Sequence, residues 1–304
     1  EMHTLKRLNI NVPSPIQSQY TWTGKYAPFD HQKKTSAFLT MNRKSFCFNE
    51  QGTGKTASAI WAADFLLKQG KINRVLVICP LSIMDSAWRE DLFTFAPHRS
   101  VDIAYGAAKK RKAIIEQGAD FVIINYDGVE IVSEEIDNGG FDLIIVDEAT
   151  HYKNAQSKRW KTLKRRFGDD TWLWMMTGTP AAQSPLDAYG LAKMVNPDAQ
   201  FRWIIKPEAS DLVFNVLQPA IRFTKEECLD LPEMTYVKRK VELTRQQQKY
   251  YDLLKKRMTM TVGGDEVTAV NAAVVMNKLL QISAGAVYTD DGDTLEFDIK
   301  HRYK

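Results

Sequence analysis

Residues 44 to 179 alternate short, almost uninterrupted apolar runs with amphipathic or polar stretches, and few folds tolerate that rhythm. Five runs stand out: SFCFN (45–49), RVLVICP (74–80), DFVIINY (120–126), FDLIIVDE (141–148) and TWLWMMTG (171–178). They are rich in β-branched and aromatic residues and nearly continuous in apolarity, as strands covered on both faces must be. Such strands separated by helical segments predict repeated strand–helix units on a mainly parallel sheet. One helix is expected from Gly54 through KTASAIWAADFLLKQ to a stop at Gly70, and others over 86–96, 109–117 and 184–195, the last ended by Asn196-Pro197.

After Pro197 the texture changes. The stretch 198–231 reads as short helices and loops, 235–244 as one more strand, 245–260 as an amphipathic helix and, past Gly263-Gly264, 267–282 as another. The final DDGDTLEFDIKHRYK reads as a turn and the start of a helix. A chain of 304 residues can fill one large core, or one core with a smaller appendage. Cys47, Cys79 and Cys228 lie far apart with no C-x-x-C pair, which argues for reduced thiols and against a zinc or disulfide framework. With no 18-residue apolar run and no secretory pattern at the N-terminus, a cytoplasmic protein without a membrane span is expected. The net charge of +4 favours a polyanionic partner only slightly, and the clusters KKRK (109–112) and KRWKTLKRR (158–166) read equally well as solvated helix faces.

Between the first strand and the first helix lies NEQGTGKT (49–56), which ends like a phosphate-binding loop but has asparagine where the first glycine of G-x-x-x-x-G-K-[ST] belongs. In that context the backbone N–H groups of Gly52, Thr53, Gly54, Lys55 and Thr56 are expected to face phosphates, helped by the positive end of the helix dipole. Lys55 would neutralise the β and γ phosphates of a nucleotide, and the Thr56 hydroxyl would ligate Mg²⁺. A glycine-containing turn with a surface lysine would read the same in isolation, so a second signal has to decide. It comes from LIIV ending in Asp147 and Glu148, because the end of a buried parallel strand is where a metal-associated acid is needed. Asp147 is expected to hold Mg²⁺ and Glu148 to orient and activate the attacking water.

GTGKT (52–56), DEATHYKN (147–154) and TGTP (177–180), in that order, resemble the first motor lobe of superfamily-two helicases, and their context is similar to the Swi/Snf-type branch of DNA-dependent ATPases. That branch commonly reads D-E-x-G-x-G-K-T at the phosphate loop, a variant that Asn49 and Glu50 fit. FDHQKK (29–34) is similar to the element whose glutamine reads adenine, which nominates Gln32. CPLSIMDSAWREDLFTF (79–95) and INYD (124–127) resemble blocks that touch nucleic acid, which nominates Pro80, Ser82, Asn125 and Tyr126. Thr177, Gly178 and Thr179 match the coupling motif, and RFTKEECLDLPEMTYVKRKVELTRQQQKYYDLL (222–254) resembles the family's R-x-x-K…L-P…L-T-x-x-Q-x-x-x-Y block. Two departures are Thr150, where the branch usually has the histidine of D-E-A-H, and Gln183, where it has asparagine. His151 directly follows Thr150, as a surface residue or as a geometric substitute.

The resemblance implies an α/β RecA-like lobe: a central, mainly parallel sheet flanked by helices, with a C-terminal helical extension. It divides the chain into an N-terminal extension (1–25), an ATPase lobe (26–245) with a helical insertion near 198–232, and a helical extension (246–304). It also implies a second RecA-like lobe beyond Lys304, double-stranded DNA as partner, and weak turnover by this piece alone, as a monomer. An RNA or single-strand helicase and a non-hydrolysing ATP-dependent clamp remain open. Trp172 and Trp174, alternating on one strand, are expected in the core, whereas Tyr20, Trp22, Tyr26 and Phe29 divide evenly between adenine stacking and packing.

Overall fold

A computed structural model of the chain describes residues 14–180, 187–197, 216–228, 240–262, 269–288 and 293–300. The chain divides into two compact units, 1–232 and 233–304. The larger unit is built on seven strands: β1 (Lys44–Cys47), β2 (Val75–Cys79), β3 (Val101–Ile103), β4 (Phe121–Asn125), β5 (Leu143–Val146), β6 (Trp172–Met176) and β7 (Ala220–Ile221). They lie in the order β3-β4-β2-β5-β6-β1-β7 with every neighbouring pair parallel, so the expected α/β architecture forms. All five expected strands are present with ends shifted by one or two residues, and β3 and β7 extend the two edges.

The continuous apolarity of the strands has the cause inferred for it. Along β2, Leu76 and Ile78 point into one core with Val122, Ile124, Ile144 and Val146, while Val75, Val77 and Cys79 point into another with Ile123, Leu143 and Ile145. Each strand is therefore apolar on both faces because helices cover both. Every such side chain withdrawn from water contributes about 1.5–3 kcal/mol. Trp174 is fully buried and Trp172 half-buried beneath the Arg43 guanidinium. Cys47 and Cys79 are buried core residues, and burial pushes the Cys47 thiol up to about 11.

Helix α1 (Asp30–Met41), absent from the sequence expectations, precedes β1 and packs on α2 (Lys55–Lys68), the helix expected after the loop. Helices α3 (Ala108–Glu116), α4 (Lys158–Lys164) and α5 (Asp187–Val195) follow, and the helix expected over 86–96 is a π-helical stretch, Met84–Arg89, that continues as Glu90–Phe95. Residues 184–186 lie outside the described residues, as does most of the 198–231 stretch.

The smaller unit pairs α6 (Arg245–Val262) with α7 (Ala269–Ala284) and adds an antiparallel hairpin of β8 (Ala286–Tyr288) and β9 (Thr294–Glu296). The hairpin corrects the expected C-terminal helix. Thr294-Leu295-Glu296-Phe297 alternates with period two, which places Phe297 with Ile282 and Val287 and packs Leu295 against them. The strand expected at 235–244 does not form over 240–244, and the rest of it lies outside the described residues. Among the described residues no helix is long and apolar enough to cross a membrane.

Candidate nucleotide and nucleic-acid site

Parallel strands all present their carboxyl ends to one edge, and here that edge collects the chemistry. Read across the sheet, it carries Asn125 as the last residue of β4 with Tyr126 directly after it, Pro80 and Ser82 after β2, and Asp147 and Glu148 after β5. It continues with Thr177 to Thr179 after β6 and with the 49–56 loop after β1. Residues more than a hundred apart in sequence are thus brought to adjacent strand ends.

The asparagine that stands in for glycine has a structural task. Asn49 is fully buried; its Nδ2 donates to Thr35 Oγ1 on α1 at 2.8 Å, and its Oδ1 accepts from the Phe223 N–H at 3.0 Å. Glu50 continues the tie, accepting from the Lys225 N–H at 3.1 Å. The start of the loop is therefore bolted to α1 and to the segment after β7, work a glycine cannot do.

Gly52 (φ 83°) and Gly54 (φ 77°) take left-handed conformations that ordinary residues resist. At Gly54 space is decisive as well, because a Cβ there would lie 2.0 Å from Gln32 Nε2. Gln32 is buried, with its Oε1 accepting from the Phe29 N–H at 2.9 Å and its Nε2 donating to the Thr53 carbonyl at 3.4 Å. His31 donates to the same carbonyl at 2.8 Å. The candidate adenine reader thus also braces the loop. The aromatic group divides: Tyr20 and Trp22 pack edge-on with Phe65 and Trp61, while Tyr26 and Phe29 stand exposed, Phe29 stacked over His31. Lys55 is buried, and its Nζ donates to the Glu50 carbonyl at 3.3 Å. Among the described residues no carboxylate lies within ion-pair distance of it. Thr56 is half-buried one residue along α2.

Asp147 is buried; its Oδ2 accepts from Trp88 Nε1 and its Oδ1 from the Glu148 N–H, each at 2.9 Å. Burial pushes its carboxyl above the ordinary range, the two donors and the Lys55 charge draw it back, and the Glu148 charge adds to the rise. A cation and an acid sit near each other here, buried and without direct contact. Glu148, half-buried, is the one non-glycine residue with positive φ among the described residues, at 47°.

Thr177 is fully buried; its N–H donates to the Cys47 carbonyl at 3.0 Å, and its Oγ1 accepts from the Thr179 N–H at 3.2 Å. Gly178 lies against the start of the phosphate loop, where a Cβ would meet the Gln51 nitrogen at 3.5 Å and the Asn49 carbonyl at 3.7 Å, ordinary contact distances. Ser82 and Thr179 are exposed and Pro80 half-buried. Asn125 accepts from Arg111 at 2.9 Å, and Tyr126 is buried with its hydroxyl turned inward. His151 is exposed and tilts onto the Tyr126 ring, 4.5 Å between centroids. Arg111 of the KKRK cluster is buried, whereas α4 carries its lysines mostly exposed. Sequence reasoning assigned no part to Trp88 or to the bracing role of Asn49; the tryptophan in the 79–95 block was the one visible signal.

Comparison with known proteins gives this arrangement a lineage. The family model described as the SNF2-related domain matches residues 31–284. Protein p41 of Acyrthosiphon pisum secondary endosymbiont phage 1 is 25% identical over 300 residues, covering 88% of this chain and 65% of that protein. An uncharacterised ATP-dependent helicase of Mycoplasma genitalium, MG018, is 27% identical over 263 residues, or 82% of this chain and 25% of the helicase. The chain therefore spans less than two thirds of one relative and a quarter of the other. Among solved structures, the Sulfolobus solfataricus SWI2/SNF2 ATPase core in complex with dsDNA matches with a TM-score of 0.60 at 21% identity, over 86% of this chain and 59% of that one. At that identity the likeness establishes the fold, a RecA-like lobe.

Proposed function

The chain belongs to the SNF2-related domain family, and from that premise we propose that it is the ATP- and Mg²⁺-binding first motor lobe of an ATPase that translocates on double-stranded DNA. The observation that carries the reading is that buried Lys55 and buried Asp147 stand at the same edge of the sheet, after β1 and β5 with only β6 between them, beside a turn whose two glycines are held left-handed. Buried charges are costly, so a fold that keeps two of them apart, each bonded only to neutral groups, is poised for a charged ligand.

In this reading the amides of Gly52 to Thr56 bind the phosphates at the start of α2, and Lys55 holds the β and γ oxygens. The Thr56 hydroxyl and Asp147 would hold the ion. Among the described residues no cluster of three or more His, Cys, Asp or Glu is arranged to cage a metal, which fits an ion bound largely through phosphate and water. Magnesium, when bound, supplies neutralisation of the charge that develops on the transferred phosphoryl group. Glu148 orients the attacking water and accepts its proton, and Gln32 with exposed Tyr26 and Phe29 receives adenine. Thr177 to Thr179, packed between the acids and the loop, relay the state of the nucleotide to the strand ends where Pro80, Ser82 and Asn125 stand. A second RecA-like lobe would bring arginines to the γ-phosphate. Without them turnover is lower by about 10³–10⁵. Double-stranded DNA is favoured as partner because the Sulfolobus core was solved with it. The setting is cytoplasmic.

Glu148→Gln tests the reading: nucleotide binding, followed by calorimetry, is expected to persist while hydrolysis stops. Turnover is compared with duplex DNA, single-stranded DNA, RNA and no nucleic acid. Absence of nucleotide uptake by the wild-type chain overturns the proposal, and rapid turnover by the chain alone overturns the need for a second lobe.

A further inference from the structure

A side chain assigned by resemblance to the nucleic-acid face is turned the other way. Tyr126 is 7% exposed, and its hydroxyl donates to the Asp147 carbonyl at 2.7 Å and reaches the Glu148 carbonyl at 3.4 Å. Those carbonyls flank the one backbone position in the described chain where a non-glycine residue is held left-handed. Such a conformation costs on the order of 1 kcal/mol or more and persists only where the surroundings over-determine it. The Glu148 amide is fixed by the Asp147 carboxylate, and the Glu148 carbonyl also accepts from the His151 N–H at 3.2 Å. The phenol completes the set.

The ring cannot swing away. It meets buried Tyr152 edge-on at 5.7 Å, His151 lies across it at 4.5 Å, and the Arg159 guanidinium covers it at 5.2 Å while bonding Asp127 at 2.6 Å. We propose that Tyr126 is a positioning residue for hydrolysis, its hydroxyl holding the 147–148 main chain so that the Glu148 carboxylate faces the attacking water. His151 enters the same assembly by lying across the tyrosine ring.

This inference rests on the ATPase reading, and Tyr126→Phe in the 304-residue chain tests it, since only the oxygen is lost. Turnover without nucleic acid is expected to fall by about 10- to 100-fold, the scale of a small misplacement of a reacting group. The ATP dissociation constant and the affinity for duplex DNA should both stay within about twofold, because neither loop nor surface is altered. Amide exchange over residues 147–152 should accelerate. Wild-type turnover in the variant overturns the proposal, as does a loss of ATP or DNA affinity that accounts for the whole effect. A wild-type chain that binds no ATP removes the motor reading instead, and the exchange comparison still judges the tyrosine: unchanged protection overturns it.

Discussion

Asp64 and Asp147 are both buried carboxylates in one unit, and their surroundings differ in a way that separates structure from chemistry. Asp64, on α2, accepts from the Tyr20 hydroxyl at 2.6 Å, from His98 at 2.9 Å and from Arg99 Nε at 2.6 Å. Burial alone would raise its carboxyl, but those bonds outweigh the burial and hold it below the ordinary range. Asp147 has two neutral donors and a cation at a remove, and its carboxyl stands above the ordinary range because of burial. The first acid is saturated, and its charge is spent pinning residues 20–23 and 98–99 to the helix. The second keeps lone pairs and charge in reserve. A buried acid that ends satisfied is architecture; one left short of partners near a lysine without an ion pair is a candidate site.

The largest effect should come from breaking the saturated cluster. Asp64→Ala strands Arg99 and the Tyr20 hydroxyl, and removal of one partner from a buried pair costs about 3–5 kcal/mol. The lower end is expected, since Arg99 keeps Asp120 at 3.8 Å. The folded carboxyl is depressed, so its contribution is present above the unfolded carboxylate range near pH 4 and is lost as pH falls through the folded value. Denaturant titrations of wild type and variant should therefore differ most at neutral pH and converge in acid. A deficit below about 1 kcal/mol at pH 7 would break the comparison.

A smaller effect is expected at the other acid. Trp88→Phe keeps most of the buried ring and removes the Nε1 donor to Asp147, leaving an ionised acceptor short of one bond, at about 1–3 kcal/mol. The Asp147 carboxyl should move further up. A raised acid adds no penalty below the unfolded carboxylate range and its full penalty once pH has passed the folded value, so the deficit of the variant should widen from acid to neutral pH. A deficit independent of pH would mean that lost packing, not the carboxylate, is being measured.

That tryptophan also marks where sequence reading stopped. The sheet was legible because strands buried on both faces write continuous apolar runs, and the phosphate loop because its chemistry is local, with glycines, lysine and threonine inside five residues. Asp147 and Glu148 were legible as charges ending LIIV. Trp88 reaches Asp147 across 59 residues, and Asn49 meets Phe223 across 174, so no local period announces either bond. β3 and β7 are three and two residues long, too short to carry a pattern, and β9 alternates over so few residues that it passed for the start of a helix. Tyr126 was legible as a residue but its inward facing was not, because its hydroxyl meets the Asp147 carbonyl across 21 residues.

His151 offers the finest test of where structure ends and site begins. Burial, followed by the neighbouring Arg159 charge, lowers its imidazole below the ordinary value. A base with a depressed folded value binds protons more weakly when folded, so its contribution is intact above about pH 6.5 and declines as pH falls below it toward the folded value. Because the side chain is exposed, the effect is small, on the order of 1 °C in Tm between pH 7 and 5.5. His151→Gln should flatten that slope and leave Tm at pH 7.5 unchanged, and melting curves at the two ends of the range suffice to see it. The slope should also be absent in Tyr126→Phe if loss of the hydroxyl frees the ring from beneath the imidazole, and retained if the ring stays clasped by Arg159 and Tyr152. The second outcome is expected, because three groups besides the hydroxyl hold that ring in place.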